Sequence, residues 1–162
     1  MSHPLDNPVL ASLTGPHARF ALTEGRAARY PGDMSPFCAL PDEPAAADWA
    51  AAARLVGPGE AVAFPAQAGP PPPGWEPVWA GDGVQLTAEG LAGQPDPEAV
   101  PLGPADVPDM LALTGRTQPG PFLPRTVELG RYLGIRRDGE LVAMAGERLR
   151  PPGWTEISAV CT

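Results

Sequence analysis

Lysine is absent from the chain. All eleven basic residues are arginine, and they face 19 Asp and Glu, for a formal net charge of −8. Without a dense basic patch the chain is a poor binder of nucleic acid, whose phosphates need clustered cations. Cysteine is nearly missing: Cys38 and Cys161 stand alone, too few for a disulfide framework or a structural zinc site. A reducing, cytoplasmic compartment is the expectation that follows. The two histidines, His3 and His17, are too sparse to build a metal site. No apolar run approaches the roughly 18 residues a membrane span needs, so no membrane partner is expected. The opening Met-Ser-His-Pro-Leu-Asp has no basic stretch followed by an apolar one and does not read as a signal peptide.

Glycine (19) and proline (24) make up about a quarter of the 162 residues. That share, with few branched aliphatics and strong negative charge, lies at the edge of the compositions that stay disordered. The core is therefore expected to be thin and the loops long. The arginine-only usage, with its excess of Ala, Gly and Pro, reads as the bias of a GC-rich gene.

The Pro/Gly clusters divide the chain. Residues 9–13 form a short helix or an arm. Residues 18–30 read as two short strands around Glu24-Gly25, with Phe20 and Leu22 alternating onto one half-buried face. AAADWAAAARLV (45–56) is the clearest helix of the first half, rich in Ala, acidic early through Asp48 and ended by Gly57-Pro58. GEAVAFP (59–65) reads as a strand. Pro70–Pro73 reads as a polyproline connector, or as a ligand for an aromatic groove. Residues 75–90 suggest a hairpin around Asp82-Gly83. A boundary near 91–99 separates two units, 1–93 and 98–162. The second opens with a strand at 100–102 and a helix at 106–115, capped by Asp106 and ended by Gly115. A loop follows, with one helical turn. RYLGIRR (131–137) and ELVAMAGERL (140–149) then flank Asp138-Gly139, the strongest hairpin signal in the chain. WTEISAVCT (154–162) is a further strand.

ADVPDMLALTG, followed by GPFLPRTVELGRYLGIRRDGELVAMAGERLRPPGWTEISAVCT, resembles the GNAT-type acyl-CoA N-acyltransferases. The likeness is to the branch whose N-terminal half is a degenerate GNAT-like unit. It is specific over 131–162 and looser before residue 90. It implies an α+β fold, with an antiparallel-rich mixed sheet and flanking helices. It also implies acetyl transfer from acetyl-CoA to a small-molecule or peptide amine, without a metal. The family continues after the last strand with a glycine-rich turn at a helix N-terminus, which holds the coenzyme A pyrophosphate. That turn does not occur within residues 1–162. The resemblance thus leads us to expect a truncated domain lacking its C-terminal half, with weak acetyl-CoA binding and low activity by itself.

Glu156 is the candidate general base, drawing a proton from the acceptor ammonium; the alternative is a structural carboxylate paired with an arginine such as Arg148. Strict alternation puts Trp154, Glu156, Ser158, Val160 and Thr162 on one face. By resemblance, the backbone of Val160, Cys161 and Thr162 pairs with the pantetheine arm; the alternative is an ordinary edge strand. Phe122 and Leu123 fall where the family shapes its acceptor pocket, or they simply anchor their loop. Cys161 reads as strand core rather than nucleophile, since no histidine follows it. A competing function is a non-catalytic binding module whose edge at 154–162 pairs with another chain, a homodimer being the simplest case. A largely disordered chain is a third reading, against which the two Asp-Gly hairpins speak.

Overall fold

The structure, a computed structural model, describes residues 3–67 and 69–162. The first helix, α1 (Pro8–Leu13), begins where the Asn7 side-chain oxygen accepts the Leu10 N–H at 3.4 Å and Pro8 fills the first turn, a position where its missing N–H costs nothing. A 3₁₀ turn at Ala18–Phe20 follows. The strands β1 (Leu22–Glu24), β2 (Ala27–Arg29) and β3 (Cys38–Ala39) make an antiparallel sheet in the order β1-β2-β3. The two expected strands are present, but Phe20 lies in the 3₁₀ turn and Leu22 is exposed. As the sheet edge, β1 buries none of its residues.

The helix α2 (Ala46–Val56) packs on this sheet. The Asp48 carboxylate accepts the Ala45 N–H at 2.8 Å, which satisfies one of the orphan amides of the first turn. Gly57, at φ 85°, turns the chain out of the helix.

Between Gly57 and Ala99 the expected strands do not form. The strand expected at 59–65 is reduced to one parallel bridge, Phe37 with Ala63. Trp75 packs against Trp49 and Phe64, with ring centroids 5.7 and 5.4 Å apart. Beyond it the hairpin expected around Asp82-Gly83 does not form: among the described residues, no strand lies between Ala63 and Val100. Trp79, Val84 and Leu86 are 80, 87 and 91% exposed. A two-stranded hairpin with no surface on which to bury one face is not stable alone.

The second sheet carries the candidate site. It contains β4 (Val100–Leu102), β5 (Tyr132–Arg137), β6 (Glu140–Glu147) and β7 (Ile157–Cys161), in the order β4-β5-β6-β7 and antiparallel throughout. The expected mixture of strand directions is therefore confined, among the described residues, to the Phe37–Ala63 bridge. Asp138 and Gly139 have φ of 51° and 85°, the pair of positive values that a tight hairpin of matching twist requires. The helix α3 (Val107–Thr117) covers one face. It runs through Gly115 and ends at Gln118, which takes the left-handed conformation at φ 48°. Asp106 does not cap with its side chain as expected; the carboxylate accepts the Gly103 N–H and pairs with Arg136 at 2.7 Å, and both contacts hold its pKa below the usual carboxylate range. Arg136 also reaches Asp109 at 2.8 Å and so ties β5 to the start of α3. Leu102, Met110, Leu113, Leu141 and Met144 fill the space between helix and sheet.

The two sheets share a seam. Leu129 and Leu149 join the core formed by Val9, Leu13, Tyr30 and Met34. Thr126 Oγ1 donates to the Met34 carbonyl at 2.7 Å, and the Arg150 N–H donates to Ser12 Oγ at 3.1 Å. His17 is buried, with Nε2 2.9 Å from the Leu129 carbonyl and Nδ1 2.9 Å from the Tyr30 hydroxyl. Only a donor can face a carbonyl, so Nε2 carries the proton and Nδ1 accepts from Tyr30.

Candidate functional site: the bulged edge strand and its neighbours

The strand β7 is not regular. Gly146 pairs with Ser158 and Met144 with Cys161, so two steps on β6 match three on β7. The extra residue is accommodated by Ala159, at φ 51°, a value that costs a residue with a Cβ energy and points to a constrained site. A bulge of this kind breaks the ladder and re-aims backbone groups. It also corrects the expected alternation. Met144 and Gly146 share a face, so Ser158 and Cys161 share it too, and Val160 falls on the opposite face. Val160 is 65% exposed, whereas Ala159 and Cys161 are buried against α3. Cys161 thus takes its expected place in the strand core, and Thr162 lies just beyond β7, exposed.

Glu156 lies one residue before β7, not within it. Its N–H donates to the Leu149 carbonyl at 2.8 Å and its own carbonyl accepts from the Arg148 N–H at 3.1 Å, so it extends the β6–β7 pairing. The carboxylate takes two bonds from Arg148, 3.0 Å from Nε and 2.6 Å from Nη2. This is the geometry of a fork on a carboxylate. The guanidinium also stacks 4.8 Å from the centre of the Phe37 ring. The structure therefore realises the Arg148 pairing and leaves Glu156 one-third exposed.

Phe122 and Leu123 do not act alike. Phe122 is buried, packs edge-on against Tyr132 at 5.6 Å, and lines a cleft of about 370 Å³ together with Leu111, Thr114, Gly115, Gln118 and Gly120. Leu123 is outside that lining; its N–H donates to Thr126 Oγ1 at 2.8 Å and helps to set the following turn.

Sequence reasoning missed Tyr132. Its ring lies directly on Gly146, where any Cβ would overlap it. Its hydroxyl is buried without a hydrogen-bond partner among the described residues. Burial raises its pKa, and the charges of Arg148, Glu156 and Glu147 act on it. The one signal in the sequence was a tyrosine at the start of one hairpin strand and a glycine near the end of the other, a pairing that lets an aromatic ring cross the strand.

An antiparallel sheet with a bulged edge strand and a helix over one face is the frame of an acyltransferase of the GNAT-type fold. A solved structure assigned to the GNAT family of acetyltransferases, from Novosphingobium aromaticivorans, matches this chain at 35% identity and a TM-score of 0.73, over 99% of this chain and 72% of that one. This chain belongs to the GNAT family of acetyltransferases. The match runs through both sheets and gives no support to the expectation that a C-terminal half of the domain is missing. No protein-family model and no curated protein matches the chain.

Proposed function

We propose that the chain serves N-acetyl transfer from acetyl-CoA to an amine, with the acyl thioester held at the β7 bulge. The observation that carries this reading is the bulge itself, an edge strand opened at Ala159, three residues after Glu156. When bound, acetyl-CoA supplies an activated acyl group. The backbone of Val160, Cys161 and Thr162 pairs with its pantetheine arm as an added strand would, and the bulge turns an amide toward the acyl carbonyl. Glu156 receives the proton of the acceptor ammonium once Arg148 yields one carboxylate oxygen. Phe122, with Leu123 behind it, bounds the acceptor. In this reading 1–93 is a degenerate GNAT-like unit that supports the catalytic unit 98–162 across the seam, in a cytoplasmic protein.

Residues 1–162 include no glycine-rich turn for the pyrophosphate, and we infer that they bind acetyl-CoA weakly and turn over slowly by themselves. Amide NMR during titration with acetyl-CoA tests the reading: resonances of Ser158–Thr162 are expected to move while those of β1–β3 stay. Perturbation spread evenly over the chain, or none, overturns it. Any amine-dependent thiol release is expected to fall about a hundredfold in Glu156→Gln.

A second reading rests on the free edge. β7 ends the sheet, and Ile157 and Val160, 61 and 65% exposed, make its outward face apolar. Such an edge can pair with that of a second copy and form a homodimer. Sedimentation over a concentration series decides: a monomer at the highest concentration removes this reading.

A further inference from the structure

We propose that the Tyr132 hydroxyl is a second hydrogen-bond donor to the acyl carbonyl oxygen, facing the amide that the β7 bulge releases. The inference rests on the acyl-thioester reading above and adds a side chain to a site otherwise made of backbone. Tyr132 pairs with Gly146, and Gly146 pairs with Ser158, so the three lie in a row across β5, β6 and β7. The ring starts on β5 and lies over Gly146. A tyrosine side chain is longer than the strand spacing of about 4.8 Å, so a ring crossing β6 carries its hydroxyl toward β7 at Ser158–Ala159. The same direction brings it under the influence of Arg148 and Glu156, which flank the start of β7. Gly146 is what permits the crossing, since any larger residue there would displace the ring.

Among the described residues, the hydroxyl has no hydrogen-bond partner. Tyr132 is 2% exposed, and buried polar atoms in native structures are nearly always paired. An orphan at this place is explained by a ligand atom that completes it. Burial keeps the phenol protonated, so it offers a neutral donor, which is what a carbonyl oxygen gaining negative charge requires. Phe122 packs against the ring on the cleft side and shields the contact from water.

The experiment uses S-acetylpantetheine labelled with ¹³C at the carbonyl, a probe with the thioester and arm but no pyrophosphate, and compares the wild-type chain with Tyr132→Phe. A hydrogen bond moves the carbonyl resonance downfield. The full shift is expected with wild type, and loss of most of it with Tyr132→Phe at saturating probe. In the absence of probe, Tyr132→Phe is expected to melt at least about 2 °C above wild type, because an unsatisfied buried hydroxyl is removed. Equal carbonyl shifts in both proteins overturn the proposal and leave the acyl-thioester reading standing. Absence of saturable binding by wild type overturns both. A variant that melts lower or fails to fold shows that the hydroxyl has a structural partner, and this also overturns the proposal.

Discussion

The chain has two Asp-Gly pairs with apolar residues on both sides, and they end in opposite states. Around Asp138-Gly139 the flanks form β5 and β6, and Leu141 and Met144 are buried under α3. Around Asp82-Gly83 no strand forms, and Val84 and Leu86 stand in solvent. The dipeptide favours a turn by a fraction of the free energy that a hairpin needs; the rest comes from burying one face. The first pair has α3 to provide that burial, whereas the apolar flanks of the second are left exposed.

The largest expected effect is in those flanks. Leu141→Ala is expected to cost about 2–5 kcal/mol in urea unfolding, whereas Leu86→Ala should change stability by less than about 0.5 kcal/mol. Comparable losses at the two sites would mean that the flanks of Asp82-Gly83 bury apolar surface on the body, and the contrast would be lost. A smaller effect lies at the turns. Gly139 sits at φ 85°, and Gly83 is not among the positive-φ glycines. Gly139→Ala is expected to cost about 1–2 kcal/mol and Gly83→Ala next to nothing, read by the same melts.

The smallest effect asks whether support crosses the seam between the sheets. Burial, and then the neighbouring arginines Arg19 and Arg150, lower the His17 pKa from 6.5 against the raising influence of its bond to Leu129. A protonated ring would have to give up accepting from Tyr30. Between the folded and unfolded values the unfolded chain binds more protons, so stability is complete above about pH 6.5 and falls as the pH drops through that value. The slope is at most about 1.4 kcal/mol per pH unit. Unfolding at pH 7.5, 6.5 and 5.5 should show this decline, and His17→Gln should flatten it. A flat wild-type profile would detach His17 from the seam.

Much of the second unit was legible because its signals are local. The strand at 100–102, the helix beginning near Asp106 and the turn at Asp138-Gly139 each follow from residues within a few positions of one another. The Glu156–Arg148 pair was legible as one of two roles, and the structure realises the pairing. The site's geometry was not legible in the same way. A bulge at Ala159 depends on how β7 is read against β6, and one extra residue moves Val160 from the expected face to the other. Tyr132 and His17 gain their roles from partners across strands or across the seam, Gly146 in one case and Leu129, 112 residues away, in the other. Asp82-Gly83 is a turn signal of the same kind as Asp138-Gly139, yet a turn signal never states that a surface is there to receive the strands beside it.

The sequence by itself determined the elements whose causes are short-range: the alanine-rich helix, the helix before the cleft, the Asp-Gly hairpin and the family likeness over residues 131–162. The tertiary structure alone decided which turn signal becomes a sheet, which face of β7 looks inward, and which buried hydroxyl has no partner among the described residues. Burial and register are properties of pairs of distant segments, and no single segment encodes them.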